Sequence, residues 1–272
     1  MLTVCFDGAG KESSQHKVLV VAGFASFAGI WSEFETLWQN RLEQDDLPYF
    51  HAGEFAHSTG VFKQGWKDNE RRRRSLTSDL FSLIESCGLR KFGCILRMDD
   101  YQQVRQKYVD KGHPSIDAFA FAAVHAVDDF HAYARGEGVP DNNVKFVFEK
   151  GDPEDHLRKI LRDRNYGDPY FAWKTLHIDG KGVKHDPFIG LQAAGWLAYE
   201  FYLDADRLLY SDPTERWALQ RFQTLRGDLK LQHRGQLLPA MPDKQKIFNS
   251  IRTSIDRLEK AKKDQGTGHM AK

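Results

Sequence analysis

The sequence has few cysteines and no long apolar run. Its 272 residues include three cysteines, Cys5, Cys87 and Cys94, whose spacing is not that of metal ligands. We therefore expect free thiols in a reducing cytoplasm. No stretch of 18 apolar residues occurs, so no transmembrane helix is expected. The first residues run straight into a strand-like segment without the basic and long apolar regions of a signal peptide, which again predicts a cytoplasmic protein.

The chain also lacks an excess of charge of either sign. Its 39 basic and 38 acidic residues leave a formal net charge of +1, so the whole molecule has no general attraction for nucleic acid. Any basic binding surface must be local. Apolar residues make up 41% of the sequence and aromatic residues 12%, which is enough to build the core of one large domain that carries an insertion.

Short apolar runs alternate with amphipathic stretches along most of the chain. The runs predict strands at residues 2–7, 17–24, 92–98, 144–149 and 172–178, and the first two form a hairpin. The amphipathic stretches predict helices at 30–42, 68–87, 115–133, 153–164, 188–209, 213–225 and 243–263. This order predicts an α/β fold with a mixed sheet flanked by helices, a helical insertion at about 30–87 and C-terminal helices.

Two of the predicted strands end in an acidic residue. Asp7 closes the first strand and Glu149 closes the strand at 144–149, about 140 residues later. A carboxylate at the end of a buried strand is costly unless another group compensates its charge. A hard divalent cation provides such compensation, although Asp7 can also begin a turn and Glu149 can pair with Lys150. If the two strands are neighbours, the acids form half of a metal site for phosphodiester cleavage.

Four stretches resemble the domain-of-unknown-function family 3800, a bacterial, archaeal and phage group. They are Phe6–Gly10, Phe50–Glu54, Phe146–Glu149 and Leu191–Glu200, and they occur in the family's order over nearly three-quarters of the chain. The resemblance implies a ribonuclease-H-like fold for residues 1–210, and leaves 211–272 as a C-terminal helical extension. It also implies a nuclease site in which acids of the first strand, a middle strand and the last helix hold Mg²⁺ or Mn²⁺.

The resemblance places functional roles on particular residues of this chain. Asp7 and Glu149 would be catalytic metal ligands. His51 and Glu54 lie three residues apart, so a helical turn would place them on one face, where they would assist proton transfer. A polar loop at the edge of the sheet explains the same pair equally well.

The chain departs from the family at two acidic positions. Gly8 stands where the family has Glu, and Gly195 stands where the family has the Asp of the last helix. Gln192, three residues earlier on a similar helix face, and Asp186, in the preceding loop, are candidates to complete the metal shell. Acids of the helix at 115–133 are further candidates, and the sequence does not choose among them: Asp117, Asp128 and Asp129.

A run of four arginines, Arg71–Arg74, begins the helix at 68–87. Four consecutive residues surround a helix, so a solvated, salt-bridged turn is one interpretation. A phosphate-binding patch, joined by Lys150, is the other, because Arg suits bidentate contacts with phosphate. Asp152 is expected to cap the helix that follows Glu149.

Two functions from different classes therefore remain. The first is a metal-dependent nuclease acting on RNA or DNA with a partly degenerate carboxylate site. The second is a catalytically inactive ribonuclease-H-like subunit that binds nucleic acid or protein in a defence or mobile-element system. A substrate other than nucleic acid is a further alternative. The expected partners are nucleic acid and, through the C-terminal helices, another protein or a second copy of the chain, but no membrane.

Overall fold

A five-stranded mixed sheet lies at the centre of the fold. The computed structural model describes residues 1–10, 17–110, 117–209 and 217–225. The strands of the sheet are β1 (Leu2–Ala9), β2 (Val18–Phe27), β3 (Arg90–Arg97), β4 (Val144–Glu149) and β5 (Tyr170–Ala172). Their order is β3-β2-β1-β4-β5, in which β2 is antiparallel to β1 and β3, while β4 is parallel to β1 and β5. A two-stranded hairpin, β6 (His177–Ile178) and β7 (Lys184–His185), follows the last strand.

Helices cover both faces of the sheet. They are α1 (Ala28–Glu43), α2 (Ala52–His57), α3 (Glu70–Ser86), α4 (Met98–Val109), α5 (Ala118–Gly136), α6 (Glu154–Asp163), α7 (Ile189–Leu209) and α8 (Trp217–Thr224). One apolar cluster joins a face of the sheet to α1, α3, α7 and α8. A second cluster joins the opposite face to α5 and α6. The predicted mixed α/β class, with helices flanking a mixed sheet, is confirmed.

The alternation of side chains along β1 and β4 decides which residues face which helix layer. Val4 and Phe6 of β1 belong to the cluster with α5, whereas Cys5 belongs to the cluster with α7. In β4, Phe148 faces the α5 layer and Val147 the α7 layer. Since successive side chains of a strand point to opposite faces, the next residues, the two acids, point towards α7.

Several predicted elements have different bounds in the structure. The predicted strand at 172–178 is wrong, because β5 ends at Ala172 and the chain leaves the sheet before forming the separate hairpin β6–β7. The segment at 49–66, where neither a strand nor a helix is predicted, contains α2 and a 3₁₀ turn at Gly60–Phe62. The predicted helix at 213–225 corresponds to α8, and the one at 243–263 lies outside the described residues.

The expectation of a cap at Asp152 is also wrong. Helix α6 has Pro153 at its N-cap, and no side chain caps it. The Oδ2 atom of Asp152 is buried without a hydrogen-bond partner. Among the described residues, no helix is long and apolar enough to cross a membrane.

Candidate active site

The two strand-end acids are neighbours in space. Phe6 of β1 pairs with Phe148 of the adjacent parallel strand β4, and Asp7 and Glu149 each follow directly in the chain. Parallel strands in the same register bring their carboxyl ends to one edge of the sheet. The side chain of Asp7 is buried, with 1% of its surface exposed, and its Oδ1 accepts a hydrogen bond from the amide of Gly8 at 2.7 Å.

A lysine ammonium lies between these two carboxylates. Lys174, two residues after β5, donates from Nζ to Oδ2 of Asp7 at 2.6 Å and to Oε2 of Glu149 at 3.0 Å. The lysine is itself buried. Burial alone would lower the pKa of Lys174, but the charges and hydrogen bonds of the two carboxylates raise that pKa above its ordinary value. Lys174 is therefore a cation at neutral pH, held at a point shared by both acids.

The lysine does not neutralise all the acidic charge near it. Burial, and then the negative charge of Asp7, raises the pKa of Glu149 to about 7. Burial raises the pKa of Asp152 to about 8, and the charges of Asp7 and Glu149 contribute to the same shift. Three carboxyl groups thus interact with one ammonium, and two of them hold protons more tightly than usual because they are buried and lie near other carboxylates.

An open cavity of about 230 Å³ lies beside Asp7 and Lys174. Four glycines line it, which leaves the backbone accessible: Gly8, Gly10, Gly53 and Gly195. His51 also lines it, and the Nδ1 of that residue accepts a hydrogen bond from the amide of Glu54 at 3.2 Å, at the start of α2. Burial, followed by the charge of Lys174, lowers the pKa of His51. The imidazole is therefore neutral at pH 7, with its proton on Nε2.

Glu54 turns away from this cavity. Its carboxylate accepts hydrogen bonds from the hydroxyl of Tyr49 at 3.1 Å and from the amide of Val61 at 3.3 Å. Burial and the neighbouring Glu54 charge raise the pKa of Tyr49 to about 12. The Glu54 side chain thus connects α2 to the following 3₁₀ turn. Glu54 affects the cavity only indirectly, because its backbone amide donates to Nδ1 of His51.

Gln192 of α7 is buried against the site but its amide oxygen is already used. Oε1 accepts hydrogen bonds from Nε1 of Trp38 at 3.0 Å and from the backbone amide of Phe50 at 2.8 Å. These contacts fasten α1 and the segment before α2 to α7. The Nε2 group is buried without a hydrogen-bond partner, and it is a donor, so it cannot ligate a cation.

Gly8 and Gly195, at the two positions where the resemblance would place acids, stand where a side chain would collide. A Cβ atom on Gly195 would lie 2.4 Å from Oδ2 of Asp7 and 3.2 Å from Cδ of Lys174. A Cβ atom on Gly8 would lie 2.4 Å from the ring of Phe119, on the opposite face of the sheet. The space of the missing acids is thus taken by the Asp7–Lys174 pair on one face and by an aromatic ring on the other.

The remaining acids that the sequence offered lie elsewhere. Asp186 is exposed and faces Lys184 at 3.6 Å. Asp117 caps α5 by accepting from the amide of Ala120. Asp128 binds Arg164 and the hydroxyl of Tyr166. Asp129 lies near Cys94, where burial and then the charge of Asp129 raise the pKa of the thiol to about 12.

The arginine run is divided between inward and outward contacts. Arg72 binds Asp45 at 2.8 Å and stacks over Trp66. Arg73 donates to the carbonyl of Phe55 at 2.7 Å. The other two are exposed, Arg74 in an ion pair with Glu70 in its own helix. None of these four arginines lines the cavity beside Asp7.

Lys150 is exposed, one residue after Glu149. Its Nζ lies 5.7 Å from the centre of the Trp173 ring. It is thus the one member of the expected phosphate-binding set that the chain places next to a carboxylate of the pair.

The site matches a divalent cation in some respects but not in all. Both carboxylate oxygens contact one nitrogen, as two ligands contact one cation, and the orphaned Oδ2 of Asp152 is a buried oxygen nearby. Within the described ranges, however, no three His, Cys, Asp or Glu side chains are grouped closely enough to hold a metal. Mg²⁺ is often held by one or two carboxylates with water and substrate phosphate supplying its other ligands, so a two-carboxylate site fits it.

Lys174 is the functional residue that sequence reasoning missed. It lies within the stretch predicted as a strand, where a lysine among apolar residues reads as a solvent-facing position. The available signal was a single cation directly after a buried apolar run, at the same edge of the sheet as Asp7 and Glu149. Comparisons with protein-family models, curated proteins and solved structures found no match for this chain.

Proposed function

We propose that the protein is a divalent-metal-dependent nuclease with a ribonuclease-H-like fold, acting on RNA or DNA. The observation that carries the proposal is the pair of carboxylates, Asp7 and Glu149, which grip one cationic group at the carboxyl edge of parallel strands. The positions of these acids, on the first strand and on a middle strand of a mixed sheet, agree with those that the family resemblance implies.

Each residue of the site would have a separate role in hydrolysis. Asp7 and Glu149 would hold Mg²⁺ or Mn²⁺, and a bound ion of this kind activates a water molecule and stabilises the leaving oxygen. The open cavity beside Asp7 would admit a phosphodiester. His51, neutral and with its proton on Nε2, fits the role of a hydrogen-bond donor to a phosphate or leaving oxygen.

Glycine at positions 8 and 10 leaves backbone exposed where the substrate would approach. Gly10 adopts a positive φ of 86°, and a Cβ there would lie 2.5 Å from the carbonyl oxygen of Val18. A side chain at this position would therefore both strain the backbone and narrow the cavity.

One observation favours a second function, an inactive subunit that binds nucleic acid or protein. Lys174 occupies the point between the carboxylates and supplies a positive charge there without any ion. A chain that no longer binds metal would keep such an ion pair for stability. The two functions differ in whether Mn²⁺ binds to the wild-type protein.

The decisive experiment is Mn²⁺ calorimetry combined with cleavage of a labelled panel of RNA, DNA and hybrid. The wild type is expected to bind Mn²⁺ and to cleave at least one substrate, and Asp7→Asn is expected to lose both, with a rate loss on the order of 100-fold or more. Asp168→Asn is the matched control, because Asp168 is an exposed acid paired with Arg162. A wild type that binds no Mn²⁺ at millimolar concentration and cleaves nothing would instead establish the inactive subunit.

A further inference from the structure

The ammonium of Lys174 stands where two carboxylates converge. It donates hydrogen bonds to Oδ2 of Asp7 and to Oε2 of Glu149, and it reaches them from a segment that has just left the sheet. The cost of removing the charges of a buried ion pair from water offsets much of their Coulombic attraction, so such a pair is stable only where its geometry is good. Here a single nitrogen meets oxygens of two neighbouring strands, as a bound ion would.

The absence of a side chain at position 195 makes this arrangement possible. A Cβ there would lie 2.4 Å from the Asp7 oxygen that Lys174 binds, and 3.2 Å from the lysine stem itself. An acid at this position would add negative charge to the pair, whereas glycine leaves the space to the lysine. The lack of an acid at position 195 and the presence of the Lys174 ammonium beside Asp7 are therefore linked, because the same small volume cannot hold both side chains.

The carboxyl groups near the lysine outnumber it. Asp152 faces Asp7, Glu149 and Lys174, and its Oδ2 is buried with no hydrogen-bond partner. A monovalent ammonium thus balances one of three neighbouring carboxyl groups. A divalent ion at the same point would balance two.

We propose that Lys174 is a built-in cation that holds the Asp7–Glu149 pair in place of a metal, so that a divalent ion binds only by displacing its ammonium. This inference rests on the proposed function, because it concerns the same two carboxylates. It makes Lys174 a positioning residue that sets the affinity of the site for metal. Two like charges at one point repel strongly in a buried site, so metal and ammonium exclude each other.

The test is Mn²⁺ binding by calorimetry to the wild type, Lys174→Met, Lys174→Gln and Lys174→Arg. The two neutral variants are expected to bind Mn²⁺ at least about ten-fold more tightly than the wild type. Lys174→Arg keeps the positive charge and is expected to show no gain. Lys150→Met is the matched control for metal binding. It also removes a lysine charge near the site, but Lys150 is exposed and its ammonium lies over the Trp173 ring. Its affinity should stay within about two-fold of the wild type.

Thermal unfolding supplies a readout that does not depend on activity. Without metal, the neutral variants are expected to melt below the wild type, and Mn²⁺ should restore them more than it stabilises the wild type. Lys174→Gln retains a donor for one carboxylate, so it keeps the test valid if Lys174→Met does not fold in chelator. If both neutral variants bind Mn²⁺ no more tightly than the wild type, and gain no more stability from it, the proposal is overturned.

The outcomes for this inference and for the proposed function can be separated. Cleavage by the wild type without a gain in Mn²⁺ affinity in the neutral variants would leave the nuclease and remove the role of Lys174. Tight Mn²⁺ binding by the neutral variants, with no cleavage by the wild type, would support the role of Lys174 and show that the lysine has closed the site.

Discussion

Two buried lysines in the described part of the chain are compensated in different ways. Lys174 lies between two carboxylates, and their charges raise its pKa above the ordinary value. Lys91 of β3, with 2% of its surface exposed, donates to the carbonyl oxygens of Phe222 at 2.7 Å and Gln223 at 3.0 Å. Burial lowers the pKa of Lys91 to about 8.

The difference between the lysines separates a structural contact from a candidate functional one. The carbonyls at the end of α8 carry the partial negative charge of a helix C-terminus, which satisfies the donors of Lys91 and fixes the helix against the sheet. Full negative charges are needed to hold a buried ammonium firmly, and only the site at Asp7 and Glu149 provides them. Partial charges thus suit a packing contact, whereas paired acids create a position that a stronger cation can take.

The largest expected effect is a difference in the free energy of unfolding between variants of the two lysines. Without metal at pH 7, Lys174→Met is expected to lower the free energy of unfolding by about 3–5 kcal/mol, because it leaves buried carboxylates without their counter-charge. Lys91→Met is expected to cost about 1 kcal/mol, because the lost hydrogen bonds are offset by removing a buried charge. Urea denaturation of both variants in chelator measures the difference. Equal losses would mean that the acids do not depend on the lysine.

A smaller effect is the dependence of stability on pH. Glu149 and Asp152 have pKa values raised to about 7 and about 8, so the folded state binds more protons than the unfolded chain above about pH 4. Their contribution is present at low pH and is lost as the pH rises through these values. The depressed pKa of Lys91, about 8, acts in the opposite sense, because the unfolded chain binds more protons between that value and about 10.4.

The free energy of unfolding is therefore expected to fall from pH 5 to about 8, by on the order of 3 kcal/mol. Above pH 8 the contribution of Lys91 is opposed by the thiols of Cys5 and Cys94, because burial raises the pKa of both thiols and the folded state then keeps their protons to higher pH than the unfolded chain does. Urea titrations in chelator at unit pH steps measure the curve. Glu149→Gln should flatten the fall between pH 5 and 8, and Lys91→Met should make the free energy of unfolding fall more steeply above pH 8. A falling limb that is unchanged in Glu149→Gln would show that other groups control it.

The strands that position the acids were predictable because their signal is local. Strand β4 has the bounds that the sequence predicts, Val144–Glu149, and an acid after a run of alternating large residues marks the end of a buried strand. The neighbouring positions of β1 and β4 required only that the strands share a sheet. The layers of helices also followed from amphipathic periods in the sequence.

The contacts that complete the site were not predictable because they join distant segments. Gln192 was a candidate metal ligand, but its amide oxygen accepts from Trp38 and from the amide of Phe50, which are 154 and 142 residues away in the chain. Lys174 contacts Asp7 across 167 residues. No local pattern encodes these pairs, and only the assembled sheet and helices bring their atoms within hydrogen-bonding distance.

The smallest expected effect concerns a third, exposed lysine, Lys150. Its charge lies over the edge of the site rather than between the acids, with Nζ 5.7 Å from the centre of the Trp173 ring. Lys150→Met is expected to change the free energy of unfolding by no more than about 0.5 kcal/mol, because an exposed charge has water as an alternative partner.

If Lys150 contacts a substrate phosphate, as the sequence predicts, the slope of log affinity against log salt should fall by about one unit in the Lys150→Met variant. Fluorescence binding titrations with labelled RNA and DNA at several salt concentrations measure this slope. An unchanged slope would exclude Lys150 from the phosphate contacts. A stability loss as large as that of Lys174→Met would contradict the comparison, because an exposed lysine would then stabilise the fold as much as the lysine that lies between the paired acids.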